Sequence, residues 1–242
     1  RDRLSTDGPT FISSIGWDWI PGIRDRNTGI WQDIRLRSSG DILIGDPLVT
    51  TDILLPDTTQ AKITIRTNIR NISSKTINGT LSAEIENINI SIPYSLKANE
   101  EKVLVFSPEE YKELNIKNPR LWWPNGYGNP ELYDMKLTAR TNSSTSDTKK
   151  VRFGIREMSY ELMVSDNDQN KRVLYTPNST INKGNPIFDY EKRAFFTKDN
   201  QLPAITKGAD VSGLETLSAD DPVGPFLAIR VNGVRTVSYT HL

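Results

Sequence analysis

The chain has 242 residues, 36% of them apolar and 25% charged, a profile that fits one large all-β domain or two compact ones. Its 30 basic and 30 acidic residues cancel, so no basic field is available to hold a nucleic-acid backbone. With no cysteine and one histidine, His241, the composition excludes disulfides, thiolate nucleophiles, zinc–thiolate sites and histidine-dependent triads, and no apolar run approaches the ~20 residues that span a membrane.

The first residue is Arg1, no signal peptide is legible, and the chain opens as though cut from something longer. GWDWIPGIRDRNTGIWQDI, from Gly16 to Ile34, holds three of the five tryptophans. If this stretch is extended, Trp17 and Trp19 share a face and Asp18 points the other way. A carboxylate among indoles is costly to bury unless it is paired, and Arg24, Asp25, Arg26 and Asn27 follow at once as partners. Two readings stand: a satisfied structural aspartate, or a carbohydrate site in which indole covers sugar C–H faces and the carboxylate accepts hydroxyl hydrogens.

SSGDILIGDP marks a boundary near Gly40–Asp46. Beyond it, AKITIRTNIRN sets Ile63, Ile65, Thr67 and Ile69 on one face and Thr64, Arg66, Asn68 and Arg70 on the other, the period of a half-buried strand. GTLSAEIEN and KVLVFS read the same way, and ELYDMKLTAR less cleanly. Turn clusters at Asn78–Thr80, Asn99–Glu101, Asn125–Pro130 and Asn142–Asp147 separate them, and the spacing predicts a β-sandwich. SPEEYKEL is a short helix candidate capped by Ser107. Of Trp122 and Trp123, adjacent in an extended segment, one is expected in the core and the other at an edge or domain contact. The stretch from Ser159 to Pro225 is rich in Gly, Pro, Asn and Asp and reads as a long irregular connector. FLAIRVNGV then reads as a strand and a turn at Asn232–Gly233.

Asp166, Asp168 and Asn170 open like a calcium loop, but Lys171 stands where the loop needs glycine and Pro177 where it needs glutamate, so a polar turn is expected. Five sequons, at Asn71, Asn78, Asn89, Asn142 and Asn178, are no more than asparagine and serine usage explains. The acid pairs Glu109–Glu110 and Asp220–Asp221 lack the apolar setting that splits two pKa values. No metal or cofactor is expected.

Taken together, GWDWIPGIRDRNTGIWQDIRL, NPRLWWPNGYGNPELYDMKL, VRFGIREM and FLAIRVNGV resemble, in family order, segments of glycoside hydrolase family 2. The GWDW segment resembles the subgroup of β-mannosidases and exo-β-glucosaminidases. The resemblance implies an all-β chain: residues 1–43 end a galactose-binding-like jelly roll and 44–157 form an immunoglobulin-like sandwich. Residues 158–225 are an extended connector, and 226–242 begin the hairpin that enters a catalytic (β/α)8 barrel, with an atypical tail, Arg235–Leu242. It implies retaining hydrolysis by two barrel glutamates about 5 Å apart, which this chain does not reach, so the chain alone is expected to be inactive. By the same resemblance Asp18 hydrogen-bonds the terminal sugar, Trp17 and Trp19 shape the wall, and Arg24, Arg26 and Asn27 support the loop or touch the ligand. The implied partners are a β-linked oligosaccharide or glycoside and the barrel itself. The implied setting is a periplasmic or secreted bacterial enzyme, although the chain names no compartment. A carbohydrate-binding module or an immunoglobulin-like adhesion module without hydrolase activity is the alternative.

Overall fold

The computed structural model describes residues 30, 33–34, 36–142, 144–166, 169–177, 187–189, 204–206, 208–209, 211, 214–217 and 227–238. Residues 1–38 and 39–242 form separate units, and all the strands among the described residues belong to the second. The jelly-roll expectation for 1–43 falls mainly on residues outside the described set.

Alternation in the sequence organises the sandwich. Strands β1 (Ile42–Ile44), β2 (Leu48–Ile53) and β3 (Gln60–Asn71) are followed by the hairpin of β4 (Ile77–Ile85) and β5 (Ile88–Leu96). Next come β6 (Glu101–Phe106), β7 (Asn115–Lys117), β8 (Tyr133–Thr141) and β9 (Thr145–Phe153). On β3 the residues Ala61, Ile63, Ile65, Thr67, Ile69 and Asn71 are all buried, which is the face the period-two pattern assigns. This strand is the spine of the first sheet: β1 and β2 pair along one side and β6 and β7 along the other. The second sheet runs β5–β4–β8–β9, antiparallel throughout. Leu81, Ala83 and Ile85 of β4 and Tyr133, Met135, Leu137 and Ala139 of β8 face the same core, which Leu96, Phe106, Leu114 and Ile155 complete. Each fully buried isoleucine or leucine stabilises the sandwich by about 1.5–3 kcal/mol, which makes this interior the main source of its stability.

Side chains from the second sheet and the segment after it close the open edge of the first. Ile42 N–H donates to Ser146 Oγ at 2.7 Å, and that hydroxyl donates back to Ile42 O at 2.9 Å. Ile44 N–H donates to Asp147 Oδ2 at 2.8 Å. Further along, Ile53 N–H donates to Glu157 Oε2 at 3.2 Å. Edge amides that would otherwise invite another strand are thereby occupied.

Three expectations need correction. Asn78 and Gly79 lie inside β4 rather than in a turn: a Cβ on Gly79 would sit 2.1 Å from Arg140 O and 2.5 Å from the Tyr94 hydroxyl oxygen. The glycine is there because Tyr94 crosses it to donate to Arg140 O at 3.0 Å. The helix candidate is a turn from Ser107 followed by a single 3-10 turn, Lys112–Leu114. And 158–225 is not irregular throughout. Its first part forms β10 (Met158–Asp166) and β11 (Gln169–Tyr175), which pair antiparallel, and Asp168 of the suspected calcium loop lies outside the described residues.

Short strands β12 (Phe188–Asp189), β13 (Ala204–Ile205) and β14 (Leu214–Thr216) join this third sheet. So does the hairpin of β15 (Leu227–Val231) and β16 (Val234–Ser238). Leu162 and Val164 pack with Val173, Tyr175, Ile187, Ile205 and Leu214 on one face. Ser159 and Glu161, on the other face, are buried as well. A strand with a buried polar face lacks the usual apolar-in, polar-out signature, which is why its alternation was read as connector. The all-β class holds.

Candidate functional site

The six residues singled out in the N-terminal stretch, Trp17, Asp18, Trp19, Arg24, Arg26 and Asn27, lie outside the described residues. What the structure does bring together are the later segments. Leu121 bridges Ile155, and Trp122 N–H donates to Ile155 O at 2.9 Å, so LWWP lies beside FGIRE. The hairpin tip between β15 and β16 completes the junction. Asn232 (φ 50°) and Gly233 (φ 82°) form its turn, with left-handed backbone at both positions as a two-residue type I′ turn requires. The buried Asn232 side chain then works in both directions: its Nδ2 donates to Trp122 O at 3.1 Å and its Oδ1 accepts from Glu157 N–H at 2.9 Å. Asn232 N–H donates to Glu157 O at 2.8 Å.

Neither tryptophan enters the core. Trp122 is half-buried, lying against Gly154 with the Arg156 guanidinium 4.5 Å over its ring, and Trp123 packs on Gly128. The expectation that one would fill the interior fails because the segment is not a regular strand: it makes isolated bridges to Ile155 and Pro130. A cleft of about 490 Å³ opens beside Trp122, lined also by Thr51, Arg152, Phe153 and Arg156. Thr51 Oγ1 donates to Arg156 O at 2.7 Å and holds the cleft wall to β2.

Sequence reading missed a buried cluster of charges among the described residues. Glu161 on β10 is fully buried and accepts four hydrogen bonds. Arg172 Nη1 donates to Oε2 at 3.0 Å, Arg230 Nε donates to Oε1, and Arg235 spans both oxygens, with Nε 3.1 Å from Oε1. Burial alone pushes the carboxyl up, but the Arg235 and Arg230 hydrogen bonds and charges outweigh it and hold Glu161 below the usual glutamate range. A carboxylate with all four lone-pair positions occupied and no tendency to hold a proton can serve neither as general acid nor as an open nucleophile. Its work is to tie β10, β11, β15 and β16 together. The legible signal was the pair Arg230 and Arg235 flanking the Asn232–Gly233 turn.

The acids weighed in the sequence do not gather into a reactive centre. Glu109 and Glu110 are exposed, and Asp220 and Asp221 lie outside the described residues. Among the described residues no group of His, Asp or Glu could hold a metal ion. Asn71 carries a sequon but is buried: its Nδ2 donates to Lys75 O at 2.6 Å, Lys97 O at 2.9 Å and Leu96 O at 3.2 Å, a structural role.

Residues 43–156 match the family model of glycosyl hydrolases family 2. An exo-beta-D-glucosaminidase of Streptomyces avermitilis is 32% identical over 157 residues, covering 64% of this chain and 17% of that protein. The exo-beta-D-glucosaminidase of Arthroderma benhamiae is 35% identical over 163 residues, covering 62% of this chain and 17% of that protein. The crystal structure of the Amycolatopsis orientalis exo-chitosanase aligns with a TM-score of 0.47 at 25% identity, over 58% of this chain and 15% of that one. The chain thus spans about a sixth of the length of the curated relatives it matches.

Proposed function

Starting from a sandwich that belongs to glycoside hydrolase family 2, we propose that this chain is the accessory portion of a longer, exo-acting retaining β-glycosidase whose substrate is a β-linked glucosaminide. The substrate reading is supported by the names of the two relatives above, both exo-beta-D-glucosaminidases. The observation that carries the accessory role is the Asn232 junction. It joins LWWP, FGIRE and the β15–β16 hairpin into one hydrogen-bonded seat on the sandwich. A scaffold that must hold a neighbouring catalytic domain at a fixed angle needs such a seat. An adhesion module, which presents an outer face to a partner, does not.

In this reading the chain supplies no catalytic glutamate. Its contact with substrate is one loop, in which the Asp18 carboxylate accepts hydroxyl hydrogens of the terminal sugar between Trp17 and Trp19, with Arg24, Arg26 and Asn27 holding the loop or reaching the ligand. A loop that plugs the non-reducing end of a pocket is what an exo-acting enzyme requires. The two glutamates of the barrel then carry out double displacement, one as acid and base, the other as nucleophile.

The test is hydrolysis of aryl β-D-glucosaminide and aryl β-D-mannoside by the product of the uninterrupted reading frame that contains this chain. Preference for the glucosaminide is expected. Preference for the mannoside would replace the substrate, and failure on both would remove the hydrolase reading.

A further inference from the structure

Three Asn–Gly pairs occur in the chain, at Asn78–Gly79, Asn125–Gly126 and Asn232–Gly233. Each has the composition for intramolecular imide formation, in which the glycine amide nitrogen attacks the asparagine side-chain carbonyl. The structure treats them in three different ways.

Asn78 and Gly79 lie within β4, where Asn78 pairs with Ser95 of β5 and Gly79 is paired on both sides, opposite Tyr94 of β5 and Thr141 of β8. The ladder and the crowding around Gly79 fix the backbone in an extended form that cannot fold back on itself. Asn232 has left-handed backbone and a buried side chain tied at both ends, to Glu157 N–H and to Trp122 O. Its Cγ is not free to turn toward the next amide.

Asn125–Gly126 is open. Tyr127 N–H donates to Pro124 O at 3.1 Å, which closes a four-residue turn with Asn125 and Gly126 at its centre. Gly126 has φ 86° while Asn125 does not have positive φ, the pattern of a type II turn, whose central amide faces outward. Both residues are exposed, and a Cβ on Gly126 would meet nothing within 4 Å. Among the described residues, neither the Asn125 side chain nor the Gly126 N–H has a hydrogen-bond partner.

We propose that Asn125 is a modification site of the folded protein, converting spontaneously to aspartate and isoaspartate. Solvent base takes the Gly126 amide proton, and the nitrogen bonds to Asn125 Cγ. The Cγ–Nδ2 bond breaks, and ammonia leaves with the proton to give a five-membered succinimide. Water then adds to either ring carbonyl and opens it. The product carries one more negative charge, and in the isoaspartyl form the backbone runs through the former side chain and is one methylene longer. The turn cannot absorb that length without moving its neighbour Tyr127, whose hydroxyl donates to Thr236 O of β16 at 3.2 Å. The modification therefore acts on the contact between this loop and the outgoing hairpin. The isoaspartyl product is a substrate for a carboxyl methyltransferase that uses S-adenosylmethionine.

The experiment ages the full chain at mildly alkaline pH, natively and in denaturant, and follows all three Asn–Gly peptides by mass. Methylation by purified isoaspartyl methyltransferase with labelled S-adenosylmethionine counts the isoaspartyl product. In the native protein the gain of about one dalton and the methyl label should accumulate at Asn125 alone, and in denaturant at all three sites at similar rates. Conversion of Asn78 or Asn232 as fast as Asn125 in the native protein overturns the proposal. So does an unreactive Asn125 in a native protein whose denatured form converts.

Discussion

Arg235 on β16 grips both oxygens of the buried Glu161 carboxylate on β10, with Nε 3.1 Å from Oε1 and Nη2 on Oε2. Because Arg230 on β15 binds the same carboxylate, both arms of the hairpin are fastened to one point inside the third sheet. The hairpin's tip is fastened to the sandwich by Asn232. The two attachments make separable predictions.

Glu161→Gln removes the charge that three guanidinium groups share in a dry setting. Breaking one side of a buried ion pair costs about 3–5 kcal/mol, and the partial exposure of Arg235 and Arg230 places the expected loss toward the lower end. Urea denaturation of the chain measures it. The pH dependence has a fixed sign. The folded carboxyl titrates below its ordinary value of 4.5, so the folded state binds fewer protons. Glu161 therefore contributes its full stabilisation above that value and loses it as pH falls through the lower folded pKa. Glu161→Gln should flatten this acid limb.

Asn232→Gly keeps the left-handed backbone of the turn while deleting two side-chain hydrogen bonds. Leaving the Glu157 N–H and the Trp122 carbonyl unpaired costs about 1–3 kcal/mol. Hydrogen exchange should quicken at Glu157 and across β15 and β16, while the β3 amides stay protected.

Burial pushes the Tyr94 hydroxyl up to about 12 from 10.0. Ultraviolet titration should therefore show one tyrosine ionising well after the exposed ones. The folded pKa is raised, so this group's contribution to stability is complete below pH 10 and disappears as pH rises through about 12. Tyr94→Phe removes the late step. Gly79→Ala, which drives a methyl onto Arg140 O and Tyr94, should cost more than the about 1–3 kcal/mol typical of overpacking, because a backbone atom cannot step aside.

Much of this fold could be read in advance, for a physical reason. The isoleucines of β3 alternate because one face meets a core and the other meets water, and such strands announce themselves. Glu161 was illegible because its strand is buried on both faces and puts Ser159 and Glu161 where alternation leads one to expect solvent. Asn78 was misread because glycine marks turns more often than it marks close approaches, and here Tyr94 needs the space. Trp122 and Trp123 were expected to split across a strand, but that segment pairs through isolated bridges and not as a regular strand. The candidate sugar contacts came from motif resemblance, and their placement falls outside the described residues.

Asp18→Ala in the product of the uninterrupted reading frame should lower kcat/KM roughly ten- to a hundredfold. That matches the loss of a charged hydrogen bond worth about 1.5–3 kcal/mol, with the melting temperature unchanged. A lower melting temperature with unchanged kinetics would make Asp18 a structural residue.

The most direct measurement compares hydrolysis of aryl β-D-glucosaminide by this chain alone and by the product of the uninterrupted reading frame, at equal molar concentration. The account predicts turnover by the longer product and none by the chain. Turnover by the chain itself would contradict it.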